Sequence, residues 1–152
     1  MPKTDPIRET DETARALARD LIGRARHGAL ATLRDGRPFV TRVALAPDGA
    51  DLLTLVSDLS PHTQAMRAAP DVSLLIGEPG KGDPLAHPRI TLFGHAVFTD
   101  KTRLRDVYLA HQPKVQLYYD FADFHLFRIA VTGADLNGGF GKAYRLTRAD
   151  LA

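Results

Sequence analysis

The residues best equipped for chemistry in this 152-residue chain gather in one run, Leu53-Thr54-Leu55-Val56-Ser57-Asp58-Leu59-Ser60-Pro61-His62-Thr63. An apolar stretch passes straight into hydroxyls and then into a helix start. Ser57, Ser60 and Thr63 offer donors. The first turn of a helix adds free N–H groups and the positive end of its dipole. Such a combination can hold a phosphate without a dense basic cluster. Arg42, on the preceding strand, could reach the same end. The competing reading is simple capping by Ser60, which explains one hydroxyl and leaves Ser57, Thr63 and Arg42 unexplained.

Elsewhere the chemical vocabulary is thin. The six histidines are scattered, and no two share the i,i+4 spacing of a helical zinc motif. His95 and His125 fall on predicted strands and could approach each other, but the spacing does not meet the ligand rules, and no metal site is expected. Asp120 and Asp123 flank aromatics and read as loop-edge residues. Ser57 and Ser60 have no histidine–acid pattern of any specificity nearby, which argues against a hydrolase triad. The absence of cysteine removes thiolate catalysis and disulfides. Gly77 to Gly82 lacks the Gly-Lys-Ser/Thr ending of a phosphate-binding loop. Gly138-Gly139-Phe140-Gly141 lacks the strand–turn–helix context of a dinucleotide fingerprint.

The elements that must position these residues are legible from periodicity. Ala14, Leu17, Ala18, Leu21, Ile22 and Ala25 recur at helical spacing, with Thr10 as the expected N-cap and Gly28 as the stop. From Ala29 the period becomes two. Ala29 to Leu33, Pro38 to Leu45 and Asp51 to Ser57 read as three strands, joined by turns at Asp35-Gly36 and Pro47-Asp48-Gly49. Phe39, Thr41, Val43 and Leu45 share one face of the second, and Val40, Arg42 and Ala44 the other. The third is apolar enough to be buried on both faces. A short helix opens at Ser60-Pro61, Val72 to Ile76 and Ile90 to Thr99 follow as strands, and residues 77–88 form a Gly/Pro-rich loop. Asp100 caps a second short helix, His125 to Thr132 is a sixth strand, and Phe140 to Leu146 closes the chain. Six or seven antiparallel strands with few helices suggest a mainly β, closed or nearly closed small barrel. Residues 1–9 read as a tail and 10–152 as one domain.

Composition sets outer bounds. Apolar residues make up 44% and charged residues 25%, close to the globular average, which excludes disorder and simple coiled coil. The formal charge of +2 gives no footprint for nucleic acid. No apolar run approaches the ~20 residues that span a bilayer, and the polar N-terminus carries no secretory pattern, so a cytoplasmic protein with no membrane partner is expected.

Several motifs in sequence order resemble a known family. Gly28-Ala29-Leu30-Ala31-Thr32-Leu33, then Asp35-Gly36-Arg37-Pro38 and Thr41-Arg42-Val43, resemble the opening strands of the pyridoxamine 5′-phosphate oxidase-like FMN-binding split barrels. Ser57 to Thr63, followed by Ala69-Pro70-Asp71-Val72-Ser73-Leu74-Leu75, resembles that family's phosphate-binding turn, helix and next strand. Asp83-Pro84-Leu85, Pro88 to Gly94, and Gly138 to Ala143 look like the branch related to the HugZ haem-utilisation proteins. The resemblance covers roughly residues 10 to 148. It implies a split-barrel homodimer with FMN at the subunit interface and a small-molecule substrate. It carries cofactor contacts onto Thr41, Arg42 and Val43, onto Val56 and Ser57, and onto His62 and Thr63, where relatives often place Arg-Lys. Arg89 and Thr91 match the strand near the flavin ring, commonly supplied by the partner chain. Substrate would lie among Arg89, the 78–88 loop and the aromatic segment Tyr118 to Phe124. The Trp-containing end of the pyridoxamine phosphate oxidases proper and the C-terminal domain of the haem degraders have no counterpart here. The resemblance therefore implies an FMN-dependent oxidoreductase of unidentified substrate, or else a non-catalytic flavin- or haem-binding module. A single-stranded nucleic-acid barrel ranks last, because the aromatics sit beside Asp120 and Asp123 rather than beside basic residues.

Overall fold

The computed structural model describes residues 6–152. Residues 1–5 of the expected tail lie outside that range, and within the rest Ile7–Arg8 forms a short strand, β1. Helix α1 (Glu12–Arg24) follows, then β2 (His27–Arg34), β3 (Arg37–Ala44), β4 (Ala46–Asp48), β5 (Asp51–Ser57) and helix α2 (Pro61–Ala68). Next come β6 (Asp71–Ile76), β7 (Arg89–Phe98), helix α3 (Arg105–His111), β8 (Phe124–Asn137), β9 (Ala143–Thr147) and helix α4 (Arg148–Leu151). All pairings are antiparallel except β1 with β9.

Two expected caps move. Asp11, not Thr10, caps α1 by accepting from the Ala14 N–H, while the Thr10 hydroxyl donates to the Arg145 carbonyl. The helix ends before Gly28, which already lies in β2. A Cβ at Gly28 would stand 2.9 Å from Leu45 Cδ1 and 3.0 Å from the Leu75 carbonyl, so glycine is required there by close packing. Asp35 and Gly36 both adopt positive φ, 52° and 74°, as the tight turn between β2 and β3 demands.

The sheet runs β1-β9-β8-β7-β6-β2-β3, and β5 adds to β8 with β4 beyond it. The curl brings β3 back toward β5, but no ladder joins them. Among the described residues β3 has no strand partner on its second edge, and β5 pairs with β4 only as far as Leu53. A seam is therefore left between β3 and the Thr54–Ser57 end of β5, which makes the barrel split. At one end the seam is stitched by a single side chain, the fully buried Thr54 hydroxyl donating to the Ala44 carbonyl at 2.8 Å. Thr54→Val, which keeps the shape and loses the donor, should cost about 1–2 kcal/mol, read as a shift in urea midpoint at unchanged slope.

Alternation along β5 explains why it is buried on both faces. Leu52 and Val56 point into the barrel core with Leu30, Val43, Leu74 and Ile129. Leu53 and Leu55 point outward into a second apolar cluster with Leu104, Tyr108, Val115, Tyr119 and Leu126, which the α3 region covers. The Leu55 N–H donates to the Tyr108 hydroxyl, and burial pushes that phenol up to about 12. The opposite outer face, on β3-β2-β6-β7, carries no helix. Arg42 lies opposite Ala29, Ala29 opposite Leu75, and Leu75 opposite Thr91. Val40, Leu33, Leu75 and Phe93 are exposed on that surface.

Candidate functional site

The seam is where backbone polar groups lie open. Along β3 the main chain of Thr41 to Val43 has no neighbouring strand on its outer edge, and Val56 and Ser57 present the facing edge of β5. Buried amides normally have partners; on β5 the Leu55 N–H has the Tyr108 hydroxyl and the Ser57 carbonyl has Thr63, so the open donors and acceptors are on the β3 side. The Val43 and Val56 side chains are buried in the barrel core, and their main chains face the paired strands β2 and β8, which leaves the Arg42 main chain as the outward group of β3.

Helix α2 lies at the other end of the seam from Thr54. Pro61 occupies its first position, and Ser60 precedes it without giving a side-chain cap. The capping explanation of Ser60 is therefore set aside, and the helix start keeps its donor character. The Thr41 hydroxyl and His62 Nδ1 stand 3.0 Å apart, tying β3 to α2. Burial alone pushes the His62 imidazole below its ordinary value, so the ring is neutral at pH 7. Thr63 does not offer its hydroxyl to a ligand. It is fully buried and donates to the Ser57 carbonyl at 2.6 Å, fixing the turn between β5 and α2. The Ser57 hydroxyl accepts from the Leu59 N–H at 3.1 Å and lies 3.4 Å from an Asp123 carboxylate oxygen.

Arg42 is not part of this group. Side chains alternate along a strand, so Arg42 points to the face opposite Thr41. There it lines a cleft of about 450 Å³ with Arg24, Arg26, His27 and Glu78, which includes neither His62 nor Thr63. Arg89 and Thr91 are further along the same outer face. They border a cleft of about 280 Å³ with Asp135, Asn137 and Tyr144. The Arg89 guanidinium donates to the carbonyls of Leu85 (3.0 Å) and His87 (3.2 Å), which holds the 77–88 loop.

One chain does not bring Arg89 together with the aromatic segment. Arg89 begins β7, whereas Lys101, just past its other end, donates to the carbonyls of Phe121 and Phe124. At ~3.3 Å per residue the strand separates the two by roughly 30 Å. His95 and His125 are likewise apart. His95 pairs with Asp71 at 2.6 Å and His125 with Asp58 at 3.0 Å. Among the described residues no group of acidic residues and histidines could hold a metal ion.

The sequence did not announce a chain of contacts beside Ser57. Asp58 accepts from His125 and from Arg67, and these two hydrogen bonds, His125 first, hold its carboxyl below the ordinary range. Arg67 in turn lies over the Phe98 ring at 5.4 Å. These residues come from β8, α2, β7 and the turn after β5, and no local motif links them.

Residues 14–137 match the model of the pyridoxamine 5′-phosphate oxidase family. No curated protein matches the chain. One solved structure is 41% identical, with a TM-score of 0.86, over 95% of this chain and 98% of its own. A haem-binding protein from Mycobacterium smegmatis is 27% identical, with a TM-score of 0.84, over 95% of this chain. This chain spans 61% of that protein's length. A FAD-binding protein from Mesorhizobium loti shares the fold at 21% identity and a TM-score of 0.61, over 76% of this chain and 87% of its own.

Proposed function

The chain belongs to the pyridoxamine 5′-phosphate oxidase family, and from that premise we propose that it binds FMN in the seam and acts as an FMN-dependent oxidoreductase on a small molecule. The observation that carries this reading is the meeting of the strand-free edge of β3, among the described residues, with an uncapped helix start. A flavin has a flat polar rim and one phosphate, and the residues present suit both. The outward main chain of Arg42 and the Ser57 N–H would meet the rim, and His62 with the first turn of α2 would meet the phosphate. When bound, the flavin supplies the electron transfer, and the protein supplies orientation and exclusion of water. Leu30, Val43 and Val56 give the seam a dry floor.

The site is completed by a second copy. The uncovered sheet face, with Leu33, Val40, Leu75 and Phe93 exposed, is the surface proposed for an isologous homodimer. Arg89 and Thr91 lie on or beside it and would serve the partner's cofactor. A dimer also offers the means to bring the Arg89 loop near an aromatic segment that one chain keeps distant. The cysteine-free sequence suits a reducing cytoplasm.

The test is the visible absorption spectrum of the purified protein, before and after incubation with FMN and removal of the excess. Flavin bands that persist support the proposal, and a colourless protein overturns it. The likeness to a haem-binding protein motivates the second reading, a binding module without turnover. A Soret band, with no flavin retained and no reduction by NADH or NADPH, would establish that reading instead.

A further inference from the structure

Resting on the flavin reading, we propose that His62 takes up a proton as the FMN phosphate binds, so that pH sets how firmly this protein holds its cofactor. The residue joins the two sides of the seam. Its Nδ1 is engaged with the Thr41 hydroxyl at 3.0 Å, which leaves Nε2 as the nitrogen able to meet a ligand. The hydroxyl can donate to a neutral ring or accept from a charged one, so the contact survives titration. A fixed guanidinium would be charged with or without the phosphate. An imidazole is charged only when something makes it worthwhile.

Nothing nearby does so in the protein alone. Burial is the one influence that shifts His62, and it favours the neutral ring. The charged groups on surrounding elements are engaged elsewhere. On α2 and the turn before it, Arg67 and Asp58 pair with each other, and Asp58 also with His125. On β2, Arg34 lies over Phe39. His27, also on β2, pairs with Glu78; on β3, Arg37 lies at the turn end with Arg34 and Asp35, Arg42 is on the opposite face, and after α2, Asp71 pairs with His95. A dianionic phosphate would therefore be the first anion that the ring meets. It would raise the proton affinity of His62, and by linkage the proton would raise the affinity for phosphate.

The experiment titrates FMN into cofactor-free protein by flavin fluorescence, between about pH 6.5 and 8.5, where a phosphate monoester (second pKa ≈ 6) is mostly dianionic. The expected result is affinity that weakens with rising pH, approaching tenfold per unit, with net proton uptake on binding measured by calorimetry in two buffers of different ionisation heat. Riboflavin, which lacks the phosphate, should show no slope. His62→Arg should bind with no slope and most tightly relative to wild type at pH 8.5. His62→Gln, which can keep the contact to Thr41, should also lose the slope and bind more weakly at pH 6.5. Wild-type affinity that is flat in pH, or a slope retained in His62→Gln, overturns the inference while leaving the flavin reading intact. Failure of both wild type and His62→Arg to bind FMN at any pH overturns the flavin reading, and the inference with it.

Discussion

Replacing Asp51 by alanine should cost the fold about 2–4 kcal/mol, a large share of the ~5–15 kcal/mol typical of a domain. Asp51 begins β5 and is buried, yet it carries a charge. Its Oδ1 accepts from the Val131 N–H at 3.0 Å and from Arg148 at 2.6 Å, and its Oδ2 accepts from Arg128 at 3.3 Å. Arg148 also donates to the Val131 carbonyl, so one carboxylate joins β5, β8 and α4. Alanine leaves a buried N–H without its acceptor and takes one acceptor from each of two guanidinium groups, Arg128 keeping Asp48 and Arg148 the Val131 carbonyl. The lower end of the range reflects Arg148, half of whose side chain is exposed. Asp51→Asn, which can still accept from Val131, should cost less than alanine. Chemical denaturation at neutral pH checks both.

The same carboxylate sets an acid limit. Burial alone would raise the Asp51 carboxyl, but the Arg148 hydrogen bond, the Val131 N–H and the two guanidinium charges together hold it below its ordinary value. A carboxyl lowered in the folded state binds fewer protons there than when unfolded. Its contribution is present above the unfolded value and is lost as pH falls through the folded one. Wild-type stability should therefore decline below about pH 4, and Asp51→Asn should show a shallower decline over the same range.

Leu75→Arg should dissociate the proposed homodimer by at least a thousandfold while leaving the protomer folded. Leu75 is about half exposed and lies in the cross-strand row Arg42-Ala29-Leu75-Thr91, so the protomer tolerates a long polar side chain there. An isologous interface meets every substitution twice. Two charges buried without partners, at roughly 3–5 kcal/mol each, exceed what a thousandfold change requires. Light scattering gives the mass, circular dichroism the fold, and retained FMN the consequence for the cofactor. A variant that stays dimeric would place the interface elsewhere, and a wild type that is monomeric at all concentrations would remove it.

What the sequence disclosed followed the range of the forces involved. The turn at Asp35-Gly36 was legible because two consecutive left-handed residues demand it. β5 is legible because a mostly apolar run between two turns must be buried on both faces. The separation of Thr41 from Arg42 followed from strand alternation, yet Arg42 was assigned to the phosphate by charge, and geometry sends it to the other face. Residue type makes Thr63 a ligand hydroxyl, although a buried carbonyl six positions back claims it. Gly28 looked like a helix stop because the Leu45 and Leu75 atoms that exclude a side chain are remote in sequence. The seam itself has no local signature. It arises from how far a twisted sheet curls before its ends meet, and nine strands, two of them very short, settle that collectively.

An open sheet edge is ordinarily a hazard, because it invites the strand of another molecule. Here the exposed amides of β3 face inward across a gap whose opposite wall is β5, with Thr54 as a stop at one end and α2 as a lid at the other. Under the flavin reading a thin, flat ring with polar edges takes that place instead of a second protein strand. Under the flavin reading the cofactor is the barrel's missing stave. The protein without it should then be the more aggregation-prone form, because the cofactor completes the wall that the chain leaves unfinished.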